Sequence, residues 1–460
     1  MALRVIALIL AFCLALAISG AKAQEPKGTR DEKEDDLTSA WEVGGEYEVK
    51  FDYRNNFALD KRHREDLFRF DQEFQLRASY RYRDWITFLI EGKILGEHQL
   101  YAGGGRRKSV GDPERGETWV RFDQLFGSNL SLKVGRQPFE EPRRWWWDDD
   151  LDAVALRYRN DSWFLELGVG RELPRKELLQ YIDPEEEGVI RVLARADWLY
   201  FKNHGLGLFF LHQNDTSKTQ SPGDRLQRNR EDPSDARLWW GGLRAIGSEP
   251  LAEDSELSYW ADLAMVLGRE KLLEFADAGG NKKVVTSRRS RQVRGWAIDL
   301  GGLWQTELPA RPIFIIGYAV GSGDKKPDSG PDFSYRQTGL QTNDEEFRTY
   351  GVILRPELSN LSIPVLAVRF PIFSKSHVEF AYRHFQQLYA VPSLRDARIK
   401  TDPDGIHKNI GQEWMLYSII KQWKKVEIEL VAAAFRAGSA YGALSGKMAY
   451  SFFTKWTYEF

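Results

Sequence analysis

From about residue 41 to its end, the chain alternates apolar and polar side chains in short runs. That is the period of a β-strand whose two faces meet unlike surroundings. Residues 68–83 show it most cleanly. Phe68, Phe70, Phe74, Leu76, Ala78, Tyr80 and Tyr82 share one parity; Arg69, Asp71, Glu73, Gln75, Arg77, Ser79, Arg81 and Arg83 share the other. The last thirteen residues repeat the arrangement. Tyr450, Phe452, Trp456, Tyr458 and Phe460 take one face, and Ala449, Ser451, Lys455, Thr457 and Glu459 the other, with Phe453 and Thr454 as exceptions. A soluble fold has no core left to bury the aromatic parity of such a final strand. A barrel in lipid turns that parity outward and its charged parity into a watery lumen.

The runs are joined by connections that are short and long in turn. Tight turns are expected at Asp84, Ser128-Asn129, Asn160 to Ser162, Lys202 to Gly205, Leu308 to Arg311, Ser374 to Ser376 and Gln422 to Lys425. Long polar connections are expected at Gln99–Gly116, Pro174–Gly188, Thr216–Ala236, Lys271–Val293, Asp324–Glu346 and Ala390–Asn409. Counting strands gives about 18, each roughly 9–11 residues long, the length that crosses a bilayer at a tilt. An even count with alternating loop lengths predicts an all-β fold: a transmembrane antiparallel β-barrel over residues 41–460, with short periplasmic turns and long extracellular loops.

The N-terminus agrees. Arg4, the apolar stretch Val5 to Ile18 and Ala21-Lys22-Ala23 form a secretory signal peptide over residues 1–23, and the charged residues 24–40 read as a flexible periplasmic lead-in. The expected location is the outer membrane of a Gram-negative cell. The single cysteine, Cys13, falls inside the signal peptide, so the mature chain has neither a disulfide nor a thiolate metal site. Without residues 1–23, 63 basic residues face 67 acidic ones, a balance that singles out no partner. Aromatics say more: 16 Trp, 18 Tyr and 26 Phe sit in a chain whose mean hydropathy is −0.49. With no other segment long and apolar enough for a spanning helix, a closed barrel is the structure that satisfies its backbone in lipid.

If aromatics face lipid, the other parity lines the lumen. The inward cations are then Arg69, Arg77, Arg81, Arg121, Lys133, Arg157, Arg159, Arg191, Arg195, Arg355, Arg369 and Arg383. The interleaved acids are Asp71, Glu73, Asp123, Glu166, Asp197, Asp262, Asp299, Glu379, Glu427 and Glu429. Guanidinium groups bind carboxylates through a planar fork and stay charged at every relevant pH, which suits a track for a polymer bearing carboxylates. Opposite charges on neighbouring strands also pair simply to stiffen a wall, and for a single arginine that role comes first. Arg143-Arg144-Trp145-Trp146-Trp147-Asp148-Asp149-Asp150 reads either as a sugar-stacking platform or as an interfacial aromatic belt; composition favours the belt. Gly103 to Lys108 is a basic loop run facing surface glycans or solvent.

Nothing suggests catalysis. The seven histidines fall mostly in loops and strand ends, no serine stands in a nucleophile motif, and P-loop, metal and nucleic-acid motifs are absent, so no cofactor is expected. His384, beside Arg383 and near Tyr389, comes nearest to a lyase arrangement.

Several segments, in order along residues 130–442, resemble the alginate-export family of outer-membrane porins. They are Val134-Gly135-Arg136-Gln137 with the Trp/Asp run, Ser258 to Ala261 with Leu267-Gly268-Arg269, Ile298 to Gly301, Gly317 to Ala319 with Gly321-Ser322-Gly323, Gln337 to Asn343, Arg355 to Leu361, Ile410 to Glu413, and Gly438 to Gly442. The final strand, closing on Phe460, is similar to the terminal strands that the barrel assembly machinery reads. The resemblance implies an 18-stranded barrel, working singly, with an Arg-rich constriction that passes an anionic uronate polymer outward. Arg136 and Arg355 lie inside matched motifs and Arg348 just before one. Three departures stand out: Val320 and Glu429 occupy positions where the exporter is basic, and Gln422 to Lys425 is a short turn where the exporter has a long periplasmic loop. The expected partners are lipid, the anionic polysaccharide, the assembly machinery and a periplasmic export scaffold. Uptake of small anionic oligosaccharides or organic acids is the alternative.

Overall fold

The computed structural model describes residues 40–60, 66–102, 109–171, 173, 188–201, 203–215, 220–327, 329–341 and 350–460. The expected signal peptide, nearly all of the expected lead-in, Gly103 to Lys108 and Arg348 lie outside the described residues. In chain order the strands are β1 (Ala40–Asn55), β2 (Leu67–Tyr82), β3 (Ile86–Ala102), β4 (Ser109–Phe122), β5 (Leu130–Glu140), β6 (Asp148–Arg159), β7 (Trp163–Arg171), β8 (Val189–Phe201) and β9 (His204–Asp215). After the short β10 (Arg225–Gln227) come β11 (Ser234–Ala252), β12 (Ser255–Asp277), β13 (Lys282–Gln305), β14 (Ile313–Gly321) and β15 (Leu361–Phe373). The series ends with β16 (Ser376–Gln387), β17 (Asn409–Trp423), β18 (Val426–Ala437) and β19 (Met448–Glu459).

Each wall strand pairs antiparallel with its sequence neighbours, and β1 pairs with β19 from Glu46↔Glu459 to Asn55↔Tyr450, so the sheet closes. β10 lies outside this circuit, capping the end of β13; the wall therefore has 18 strands. At the seam Gly45 and Phe460 exchange backbone hydrogen bonds of 3.2 and 3.0 Å. Closure leaves no open edge, the condition for a sheet in lipid. Tyr450, Phe452, Trp456 and Tyr458 are about half exposed on the outer face, and on β7 and β8 Trp163 stacks on Trp198 at 5.7 Å. Val320 shares the outward parity of Phe314, Ile316 and Tyr318, so its apolar side chain follows from facing lipid.

Three expectations are corrected. Gln99–Gly116 is largely strand, the ends of β3 and β4. Lys271–Val293 is not a long loop: β12 and β13 run 23 and 24 residues and turn over just four. These strands are far longer than a bilayer requires; their distal ends run past it and carry the charge of a loop, with Leu273 and Val285 buried beneath the 220–233 connection. Arg355 lies in the segment between β14 and β15, at φ 44°, not on a strand. The 424–425 turn is as short as expected.

The long connections do not all stay outside. Residues 141–147, and the described parts of 322–360, fold into the lumen and build an apolar cluster from Trp145, Trp146, Trp147, Phe209, Tyr335, Leu340, Tyr350 and Ile353. Segments 56–59, 388–408 and 438–447 join over one side: Lys400 N–H donates to the Phe57 carbonyl at 3.0 Å and Asp404 N–H to the Ala440 carbonyl at 2.6 Å.

Candidate functional site

The cross-strand register dictates the centre of the barrel. It sets Arg244 of β11 opposite Asp262 of β12, and Asp262 opposite Asp299 of β13. Two carboxylates side by side repel, and the wall supplies a cation on one flank only. The loop supplies the second. Arg143 reaches both acids, bonding Asp262 and standing 3.0 Å from Asp299. Arg244 forks between Asp262 (2.6 Å) and Glu141 of the same loop. Glu141 is buried, which alone would raise its pKa; Arg244 and the backbone N–H groups of Trp146 and Arg143 outweigh burial and hold it below the usual carboxylate range. The indole N–H groups of Trp146 and Trp260 donate to Asp262 (3.3 Å) and Asp299 (2.5 Å). Tyr350 O–H donates to Asp299 at 2.7 Å and accepts from Trp145 Nε1 at 2.5 Å.

This network pins the aromatic loop across the lumen. Trp146 lies flat on Phe209, ring centres 4.9 Å apart, and Trp145 lies parallel to Tyr335 at 6.4 Å. Gly242 leaves the room: a Cβ there would sit 2.1 Å from the Trp146 ring. The Trp run is therefore not a lipid-interface belt, as its composition suggested, but a dry interior plug; all three indoles are 2% exposed or less. Arg336 fastens the 322–341 segment, bonding Glu270 and, at 2.6 Å, Asp332. Glu413 fastens the next stretch by accepting the N–H groups of Val352, Ile353 and Leu354 at 2.8–3.1 Å.

Beside the plug, between it and the wall formed by β1–β5, β18 and β19, lies a water-accessible cavity of about 800 Å³. Gly135, at φ 125°, bends β5 so that both parities reach the lumen: Lys133 before it meets Glu117, and Arg136 and Glu140 after it line the cavity. Twelve carboxylates and eight cations line this space, and most of the cations are matched. Arg69 sits 2.8 Å from Asp71, Lys93 3.4 Å from Glu73, Arg115 2.7 Å from Asp152, and Lys455 3.1 Å from Glu429. Arg136 approaches Asp152 at 3.8 Å.

The other sequence-derived residues divide the same way. Arg121 pairs with Asp123 (2.8 Å), Arg157 with Glu166 (2.5 Å), Arg195 with Asp197 (2.5 Å) and Arg369 with Glu379 (2.7 Å). Arg191 is buried on β8. Among the described residues, no carboxylate lies within ion-pair distance of Arg77, Arg81, Arg159 or Arg383. Sequence reasoning missed Arg244, Glu141 and Tyr350. Arg244 was within reach, because it stands directly across from Asp262, but only once register is known.

The family model described as Alginate export matches residues 40–454 of this chain. The chain belongs to the alginate-export family. Membership and fold make it an outer-membrane channel rather than an enzyme. Among curated proteins, this family member is similar to the alginate production protein AlgE of Pseudomonas syringae pv. tomato, 22% identical over 267 residues, 56% of this chain and 51% of that protein. The match thus spans about half the length of that relative. In fold the barrel is similar to OccAB1 of Acinetobacter baumannii (TM-score 0.55, 11% identity, covering 91% of this chain and 96% of that one). It is also similar to OccK5 (OpdH) of Pseudomonas aeruginosa (TM-score 0.54, 10% identity, covering 91% and 98%).

Proposed function

We propose that this alginate-export family member passes an anionic uronate polymer, alginate or alginate-like, outward through its lumen, working as a single barrel. The observation that carries this reading is the family match across nearly the whole barrel. The lumen supports it in an unexpected way. Arginines are present, but most already share a carboxylate with the wall. Polymer carboxylates must therefore compete with Asp and Glu for the same guanidinium groups, and each site holds the chain weakly. Conduction needs attraction that is spread over several sites and never deep. Among the described residues, Arg77, Arg81, Arg159 and Arg383 are inward cations with no carboxylate within ion-pair distance. The barrel contains no energy source, so a periplasmic partner supplies the push.

The tight-turn end gives a second reading some support. Its 424–425 connection is two residues long and adds no cover to that mouth, which suits diffusive uptake of small anionic saccharides. Transport of labelled oligouronate in proteoliposomes separates these readings from a closed, structural barrel. Flux of oligouronate exceeding that of a neutral oligosaccharide of equal length supports a uronate channel; equal or absent flux contradicts it.

A further inference from the structure

Below the plug, on the tight-turn side, the lumen holds a second and smaller cavity of about 340 Å³ against β6, β7 and β8, roofed by Pro142. The same loop thus separates two unlike spaces, because its neighbours Glu140 and Arg144 line the acid-rich cavity instead. Here the charge balance reverses: Arg159, Arg195 and Arg244 face one acid, Asp197. Arg244 is committed to Glu141 and Asp262, and Arg195 to Asp197. Arg159 has no carboxylate, although Arg157, one inward position earlier on β6, has Glu166. Two guanidinium groups close on one aromatic ring, Arg159 at 4.9 Å and Arg195 at 5.0 Å from the centre of Phe164. Like charges crowded this way around a ring leave an anion wanting. The volume lies in the range of small-ligand sites.

We propose that this pocket is the periplasmic-side subsite for the polymer. A hexuronate carboxylate would pair with Arg159, the edge of Arg195 would lie beside it, and the sugar face would rest against Phe164. The assignment rests on the uronate reading above and deepens it, since it names where the chain first binds before it meets the plug.

The test uses the full-length barrel in planar bilayers, with a mannuronate pentamer added to one side at a time. Wild type is expected to show block from the periplasmic side. Arg159→Gln weakens that block about tenfold, the loss of one charge-assisted contact, and Phe164→Leu weakens it roughly threefold or more through lost ring contact. Both leave block from the opposite side unchanged. In wild-type protein the pentamer also shields Arg159 from dicarbonyl modification read by mass spectrometry, a result that does not depend on either variant folding. Normal wild-type block with unaltered variants and no shielding would overturn the pocket and leave the uronate channel standing. No block from either side would overturn both. A neutral pentasaccharide that shields Arg159 equally would overturn the carboxylate assignment.

Discussion

Arg244→Ala tests whether charge pairing holds the aromatic loop in the lumen. The change strips Glu141 and Asp262, both 1% exposed, of their shared cation. Breaking a buried pair by removing one partner costs about 3–5 kcal/mol. The loop's own balance is of that size. Three buried indoles at roughly 200 Å² each and about 25 cal/mol/Å² contribute about 15 kcal/mol. Ordering seven residues at about 1.5 kcal/mol each opposes this with about 10 kcal/mol. The surplus is therefore about 5 kcal/mol, and the variant removes most of it. The wall is hydrogen-bonded independently of the loop, so the loop should swing free while the barrel stays folded. Single-channel recording should show a larger and flickering conductance, and near-UV circular dichroism should lose tryptophan signal. Arg244→Lys should fall between, because an ammonium cannot fork to two acids. Unchanged conductance and an unchanged near-UV spectrum in a folded Arg244→Ala barrel would refute the argument.

Three further predictions follow from neighbouring contacts. Gly242→Ala drives a methyl into the Trp146 ring and a backbone carbonyl; overpacking of about 1–3 kcal/mol should disturb the Trp146–Phe209 stack and show as altered tryptophan fluorescence. Glu413→Ala leaves the N–H groups of Val352, Ile353 and Leu354 without an acceptor, and limited proteolysis should then cut near residue 350 while the wild-type segment resists. Glu141 has a depressed folded-state pKa, so its contribution is fully present above the unfolded carboxylate value and is lost only as pH falls through the lower, folded one. Conductance should stay at its neutral-pH value down to about pH 4.5, the ordinary glutamate range; opening between pH 6 and 5 would contradict the assignment.

The barrel was legible because alternation is a direct record of two solvents. Strand β2 shows its lipid and lumen faces residue by residue, and the closing strand does the same. Legibility failed where that contrast disappears. The distal halves of β12 and β13 run beyond the bilayer, so Lys271–Val293 carries charge at both parities and reads as a loop. The Trp145–Trp147 run has no period at all, and a plug and an interfacial belt have the same composition. What distinguishes them is the row Arg244, Asp262, Asp299, which exists only across three strands in register and leaves two acids wanting a second cation. Arginine parity was readable; its neutralisation was not, because Arg157 finds Glu166 and Arg159 finds no acid through pairing that the sequence does not display. Val320 is a converse case: the departure was readable in the sequence, but that the position shares the outward parity of β14 was visible only in the structure.

The most direct test of the account is single-channel conductance of the purified barrel with mannuronate or guluronate oligomers and a neutral oligosaccharide of equal length. Weak, dose-dependent block by the uronates is expected, fading as salt screens the arginines, with little block by the neutral sugar. Equal block by both sugars, or none by either, would contradict a uronate path through this lumen.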